Sequence, residues 1–288
     1  MSSRTDWDAI VIGAGMAGLS CAAHLAKAGK RVVAVEQAAR PGGLWGSFSR
    51  RGLIFDLSTH WVTEPHTLNQ ILADLGAPPV DFVQLEQLGR YTGPIATPGS
   101  AGAAGAPPPR TGAAAPSWDI TVGPDVEAFK SSVRAQFPTA SETSLTKLVD
   151  DAFDISRRLD SLPAYSPELV SLWSRLKTGL STAPRVLRLR NPSTTPAEEY
   201  LASLFPGEGL AGLRAALYML APIPGMPSIG LLAILGTGLR GRLYAPRGGS
   251  QVLADAFAEA ARRNGAEIMC ARRVVSILTE GKQVRGVS

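Results

Sequence analysis

DWDAIVIGAGMAGLSCAAHLAKAGKRVVAVEQAARPGG, residues 6–43, is the stretch that decides the fold. A short apolar strand, Ala9–Ile12, runs into Gly13-Ala14-Gly15-Met16-Ala17-Gly18. A helix-forming run follows from Leu19 to Ala28 and stops at Gly29; a second strand, Arg31–Val35, ends in Glu36. That order is a dinucleotide-binding βαβ unit. Gly13 allows the tight turn out of the strand, Gly15 lets a diphosphate approach the backbone, and Gly18 lets the helix pack against the sheet. The helix N-terminus presents unpaired N–H groups and a partial positive charge to an anion. Glu36, 23 residues after Gly13, stands where a carboxylate accepts hydrogen bonds from ribose hydroxyls. A carboxylate there disfavours a 2′-phosphate, so FAD or NAD is expected rather than NADP.

A GxGxxG alone is a weak signal, but here the flanking strands, the helix and the acidic residue are all in place. The motif does not separate FAD from NAD. The continuation Arg40-Pro41-Gly42-Gly43 adds a cation and a second glycine pair, a second place for backbone to meet a diphosphate. A further strand is expected over Leu53–Leu57, carrying Phe55 and Asp56.

Composition sets outer bounds. With 288 residues, 45% apolar and 18% charged, the chain is globular and long enough for two domains. The net charge of +5 is dispersed in pairs such as Arg157-Arg158, Arg262-Arg263 and Arg272-Arg273, so no nucleic-acid arm is expected. A solvated basic face is the first reading of that excess, and peripheral contact with an anionic membrane surface the second. Cys21 and Cys270 read as buried, reduced thiols, and with no secretory signal the expected location is cytoplasmic. The apolar stretch Leu217–Leu239 approaches spanning length, but its prolines and glycines point to the lining of an apolar pocket instead.

The order of elements suggests a discontinuous organisation. Residues 1–80 and 240–288 read as one α/β, Rossmann-like domain, and residues 81–239 as an inserted, mostly helical or mixed cap. Within the cap, Phe82–Tyr91 and Trp118–Val122 read as hairpin arms, and the Ala/Gly/Pro-rich segment 93–116 as a disordered insertion at the tip. Helices are expected over Pro65–Leu75, Asp125–Gln136, Ser141–Leu159, Pro167–Leu176, Ala197–Leu204, Gly209–Leu220 and Gln251–Arg263; residues 178–196 read as irregular. Strand Ala266–Cys270 and a hairpin of Val274–Thr279 with Gln283–Val287 close the chain.

Three blocks resemble the phytoene desaturase, carotenoid isomerase and retinol saturase group of FAD-dependent oxidoreductases. They are VIGAGMAGLSCAAHLAKAGKRVVAVEQAARPGG with GLIFDLSTHW; RYTG with WDITVGPDVEAFKSSVRAQFP; and LYAPRGGSQVLADAFAEAARRNGAEIMCARRVVSILTEGKQVRGV. The resemblance implies that Gly13, Gly15 and Gly18 meet the FAD diphosphate, with Glu36 at the adenosine ribose; Met16, Ala17 and Gln37 are counted with the cofactor site. It sets Arg40, Gly42 and Gly43 along the diphosphate and lets Val274 offer backbone groups to the adenine. Leu44 stands where the group carries arginine, followed by Trp45, and both are counted with the cofactor site. Members of the group are longer, so the C-terminal part of the fold is expected to be missing here or supplied by a second chain.

Flavin chemistry needs no protein nucleophile and no metal. His24 reads as structural and His66 as a cap or surface residue. His60, in the segment DLSTHW (56–61) that the resemblance sets near the flavin ring, is the candidate for proton transfer or orientation. Three scattered histidines and two distant cysteines give no zinc pattern. Asp150-Asp151 and Glu198-Glu199 read as solvated helix faces. The leading expectation is an FAD-dependent oxidoreductase acting on a long apolar polyene or isoprenoid by desaturation, saturation or isomerisation. The alternatives are a flavin amine oxidase and a truncated FAD-binding chain without turnover.

Overall fold

The structure, a computed structural model, describes residues 6–58, 61–94, 117–161, 189–220 and 223–288. In chain order the first elements are β1 (Ala9–Ile12), α1 (Met16–Lys27), β2 (Val32–Val35), β3 (Ser47–Arg50), β4 (Leu53–Asp56), α2 (Pro65–Asp74) and β5 (Phe82–Gln84). Next come β6 (Gly89–Pro94), β7 (Ser117–Val122), α3 (Val126–Gln136), α4 (Glu142–Asp160), α5 (Ala197–Leu204), α6 (Ala211–Tyr218) and α7 (Ser228–Leu239). The last are β8 (Tyr244–Pro246), α8 (Ser250–Arg263), β9 (Glu267–Met269), β10 (Ile277–Glu280) and β11 (Gln283–Val287). The chain divides into two compact units: residues up to Gln84 with Tyr244–Ser288, and the stretch from Leu85 to Leu243.

The first unit is a Rossmann-like α/β layer. Its sheet has the order β1-β2-β9, all parallel, so the central strand is the second in sequence and its other neighbour arrives more than 200 residues later. Val32, Val33 and Ala34 of β2 are all buried, as expected of a parallel strand covered on both faces. α1 and α8 pack against each other, and Leu19, Ala22, Ala23, Leu253, Phe257 and Ala261 share one core with Leu72 of α2 and Leu75 just after it. The alanines bring these two helices close. α1 begins at Met16, three residues before the expected start, because extended Gly15 (φ −73°, ψ 177°) caps it directly. The final strand of the layer is shorter than Ala266–Cys270, and the last hairpin starts at Ile277 rather than Val274.

Several expectations change. The strand around Phe55 is one arm of a β3–β4 hairpin whose first arm, Ser47–Arg50, is polar in three of four positions and gives no apolar alternation. Phe82–Tyr91 does not form one extended arm. β5 pairs with β8 in the first unit, and β6 pairs antiparallel with β7 in the second. Cys21 is exposed and Cys270 half-buried. On α1, Leu19, Ala22, Ala23 and Ala26 form the buried stripe, and the 3.6-residue period leaves Cys21 outside it. Residues 189–194, read as irregular, are helical. The expected loop 93–116 and helix Pro167–Leu176 lie outside the described residues, apart from the end of β6.

The second unit has its own core, built from Ile120, Phe129, Leu145, Leu148, Leu201, Phe205, Leu213 and Leu235. α4 and α7 cross at backbone contact: a Cβ on Gly236 would lie 2.1 Å from the Ala152 carbonyl oxygen. The apolar stretch read as a pocket lining is thus mostly core, with Leu231, Leu232, Leu235 and Leu239 of α7 all buried. Asp150 is exposed, whereas Asp151 is not a plain solvated carboxylate: it accepts hydrogen bonds from Tyr200 Oη at 2.7 Å and Lys147 Nζ at 2.8 Å. Among the described residues no helix is long and apolar enough to cross a membrane.

Candidate functional site: a double glycine turn

β1 delivers the chain to Gly13, which adopts φ +96°, a conformation open to glycine and strained for other residues. Its N–H donates to the Val35 carbonyl at 2.7 Å, so the turn is fastened to the end of β2. Gly15 ends the turn, and a Cβ there would meet no atom within 4 Å. Gly18 is the opposite case. A Cβ there would lie 1.9 Å from the Gly13 carbonyl oxygen and 3.3 Å from Val11 Cγ1. One glycine therefore leaves open space at the helix N-terminus, and the other permits the packing that puts the helix there. The N–H groups of Met16, Ala17 and Gly18 have no intrahelical carbonyl within reach and head the helix dipole.

The second glycine pair lies directly against the first. Gly42 N–H donates to the Ala14 carbonyl at 2.8 Å, and Gly15 and Gly42 form a parallel bridge. Gly42 and Gly43 have φ of +131° and +57°, and a Cβ on Gly43 would come within 3.2 Å of Gly15 Cα. The two turns thus make one continuous strip of backbone with no side chain on it. Trp45 packs on the core of the first unit, while Leu44 is 69% exposed. Arg40 is solvent-facing and paired with Asp255 at 3.3 Å.

Glu36 is buried and does two things. Its carboxylate accepts from Ala14 N–H at 2.7 Å through one oxygen and from Ala38 N–H at 2.8 Å through the other. It therefore ties the glycine turn to the end of β2 while each oxygen keeps a lone pair for another donor. Gln37 is exposed beside it. The backbone of Ala271 and Arg272 closes this end, donating to Ala38 O and Glu36 O at 2.8 Å each, and partly exposed Val274 follows two residues on. Burial, with the nearby Glu36 charge second, raises the Cys270 thiol above its ordinary value and keeps it protonated.

A network not legible in the sequence supports the second turn. Gln251 in the first turn of α8 donates from Nε2 to the Pro41 carbonyl at 3.0 Å and to Asp255 Oδ1 at 2.8 Å, and its Oε1 accepts from Ser47 N–H at 3.3 Å. Ser47 Oγ donates to Asp56 Oδ1 at 2.6 Å and accepts from Gln251 N–H at 3.0 Å; Asp56 Oδ1 also accepts from Ser250 N–H at 2.8 Å. The available signal was the block PRGGSQ before a helix, but its partners lie some 200 residues earlier. His60 lies outside the described residues, and His24 is exposed, with Nδ1 2.7 Å from the Ser20 carbonyl.

Residues 11–75 match the family described as NAD(P)-binding Rossmann-like domain. Over 55 residues, 19% of this chain, the sequence is 51% identical to the all-trans-retinol 13,14-reductase of Rattus norvegicus. Over 68 residues, 24% of this chain, it is 43% identical to the neurosporene-forming phytoene desaturase of Rhodobacter capsulatus. These stretches span 9% and 13% of the relatives' own lengths. Among solved structures, an oxidoreductase from Methanosarcina mazei superposes with a TM-score of 0.53 at 21% identity, covering 96% of this chain and 54% of that one, a likeness of fold. Residues 11–75 are therefore similar to NAD(P)-binding Rossmann-like domains, and the chain is similar over part of its length to oxidoreductases such as retinol 13,14-reductase and phytoene desaturase.

Proposed function

We propose that the chain is the dinucleotide-binding portion of an FAD-dependent oxidoreductase whose substrate is a long apolar polyene or isoprenoid. The observation that carries this reading is the pairing of the Gly13–Gly15 turn with the Gly42–Gly43 turn through the Gly42–Ala14 hydrogen bond. A single glycine turn serves one side of a diphosphate; the doubled strip gives both sides backbone without side chains. The polyene class rests on the relatives, which are named for retinol and phytoene.

The residues present fit FAD. Gly15 leaves open space before the N-terminus of α1, and the first-turn amides of Met16, Ala17 and Gly18 would hold the diphosphate. Glu36 would accept from the ribose hydroxyls with its remaining lone pairs, and its charge opposes a 2′-phosphate. Val274 would bring backbone groups to the adenine, with Gln37 beside the ribose. Arg40 would leave Asp255 to face the diphosphate, while Leu44 and Trp45 would flank the glycine strip. When bound, FAD supplies the two-electron acceptor, and the protein supplies binding and orientation.

The test is direct. Purified chain is loaded with FAD, dialysed, and its visible spectrum recorded, with NAD+ and NADP+ titrated in parallel. Retained flavin absorption with no competition from NADP+ is the expected result. A chain that takes up NAD+ and releases FAD would overturn the assignment.

A further inference from the structure

We propose that Gln251 and Asp255 are positioning residues for dinucleotide binding: Gln251 braces the second glycine turn, and Asp255 holds Arg40 away from the diphosphate until a ligand arrives. This rests on the dinucleotide reading above and goes beyond it, because it assigns roles to two residues of α8, more than 200 positions from the turn they control.

The brace follows from geometry. Gln251 is buried, and its amide spans the loop: Nε2 holds the Pro41 carbonyl at 3.0 Å, just before Gly42, and Oε1 holds Ser47 N–H at 3.3 Å, just after the loop. A Cβ on Gly42 would meet Gln251 Nε2 at 3.3 Å and Ala254 Cβ at 3.2 Å, so α8 is the floor on which the turn rests. Three of the four hydrogen bonds this amide can make are used within the protein, so it is not itself a ligand group.

Asp255, one helical turn on, connects the brace to the cation. Oδ1 accepts from Gln251 Nε2 at 2.8 Å, which fixes the carboxylate, and Oδ2 faces Arg40 Nη2 at 3.3 Å. Both partners of the Arg40 pair are more than half exposed, so the pair is weak and exchangeable. A diphosphate arriving at the glycine strip competes with Asp255 for one guanidinium, and the carboxylate, still held by Gln251, remains in place as the return partner.

The experiment uses the 288-residue chain and two readouts: hydrogen exchange of residues 40–47 in the free protein, and affinity for ADP, the moiety shared by FAD and NAD. Gln251→Met keeps the shape and removes the hydrogen bonds; exchange at Gly42 and Ser47 is expected to rise about ten-fold and ADP affinity to fall by a similar factor. Asp255→Asn keeps an acceptor for Gln251 and releases Arg40; ADP affinity is expected to rise about two- to five-fold at low salt, with the gain lost at high salt. A merely structural residue would not produce that salt-dependent gain. Unchanged exchange in Gln251→Met overturns the brace, and an Asp255→Asn affinity equal to or below wild type overturns the holding role. If the wild type binds no ADP, the dinucleotide reading and the holding role fall together, while the exchange measurement still decides the brace. Should Gln251→Met not fold, Ser47→Ala, which removes the far anchor, is measured in the same way.

Discussion

Gly18→Ala sets two opposite effects against each other. Gly18 lies inside α1, where alanine is favoured over glycine by about 1 kcal/mol of intrinsic helix propensity. The new Cβ would lie 1.9 Å from the Gly13 carbonyl oxygen, far inside an ordinary C···O contact of about 3.3 Å. Relief needs a shift of about 1.4 Å between the first turn of the helix and the glycine turn. The obstructing atom is backbone, and Gly13 N–H is itself fastened to Val35 O, so neither side yields as a flexible side chain would. Overpacking of this kind costs about 1–3 kcal/mol, and so close an approach to backbone belongs at the upper end, so the variant should be destabilised by about 2 kcal/mol net of the propensity gain. The melting temperature should then fall by roughly 5 °C in a thermal scan followed by circular dichroism, and dinucleotide affinity should fall with it. Gly15→Ala is the control: with φ −73° and no atom within 4 Å of the new Cβ, it should melt like wild type and still lose dinucleotide affinity, because the methyl fills the open space. A Gly18→Ala protein that melts at or above wild type would refute this packing argument. A Gly15→Ala protein with undiminished affinity would refute the position given to the diphosphate.

Glu36→Gln leaves one acceptor oxygen where two are used, so either Ala14 N–H or Ala38 N–H loses its partner; a cost of about 1–3 kcal/mol is expected in urea denaturation. Gly236→Ala should destabilise the helical unit by about 1–3 kcal/mol, since its Cβ would lie 2.1 Å from Ala152 O, and a protease should cut that unit faster. Burial first, and the adjoining Asp151 second, push the Tyr200 phenol far above its usual value. Its folded-state value exceeds the unfolded one, so its contribution to stability is complete below about pH 10 and is lost as pH rises further. Absorbance titration at alkaline pH should show late-ionising tyrosine in the folded protein, and Tyr200→Phe should reduce the amplitude of that late step. The Asp8 carboxyl is held below its ordinary range by hydrogen bonds from the Arg31 side chain and backbone. Its contribution is therefore present above about pH 4 and is lost in acid, and Asp8→Asn should shift the acid-unfolding midpoint of the first unit upward.

Much of the nucleotide layer was legible because its cause is local. Gly13, Gly15 and Gly18 stand at the spacing that backbone sterics demand, and the apolar run of β2 is continuous because that central parallel strand is covered on both faces. The polar first arm of the β3–β4 hairpin was missed because Ser47-Phe48-Ser49-Arg50 gives no apolar face to read. Helix 189–194 was missed because its sequence, LRNPST, carries a proline and no amphipathic repeat. In Leu217–Leu239 apolar character was read correctly but its destination was not, since a core face and a pocket wall have the same composition.

What residues 6–43 determined alone is the βαβ unit with its glycine turn and the placing of Glu36 at the end of the second strand, because turn sterics and strand and helix periodicity are properties of neighbours in sequence. Tertiary structure alone decided that Gly42–Gly43 lie on Gly13–Gly15, that Gln251 and Ser47 hold them there, and that Arg40 faces Asp255. Those contacts join segments up to 215 positions apart. Hydrogen bonds between such segments have no periodicity in the chain; they exist only once the alanine-rich faces of α1 and α8 have packed and brought their loops together.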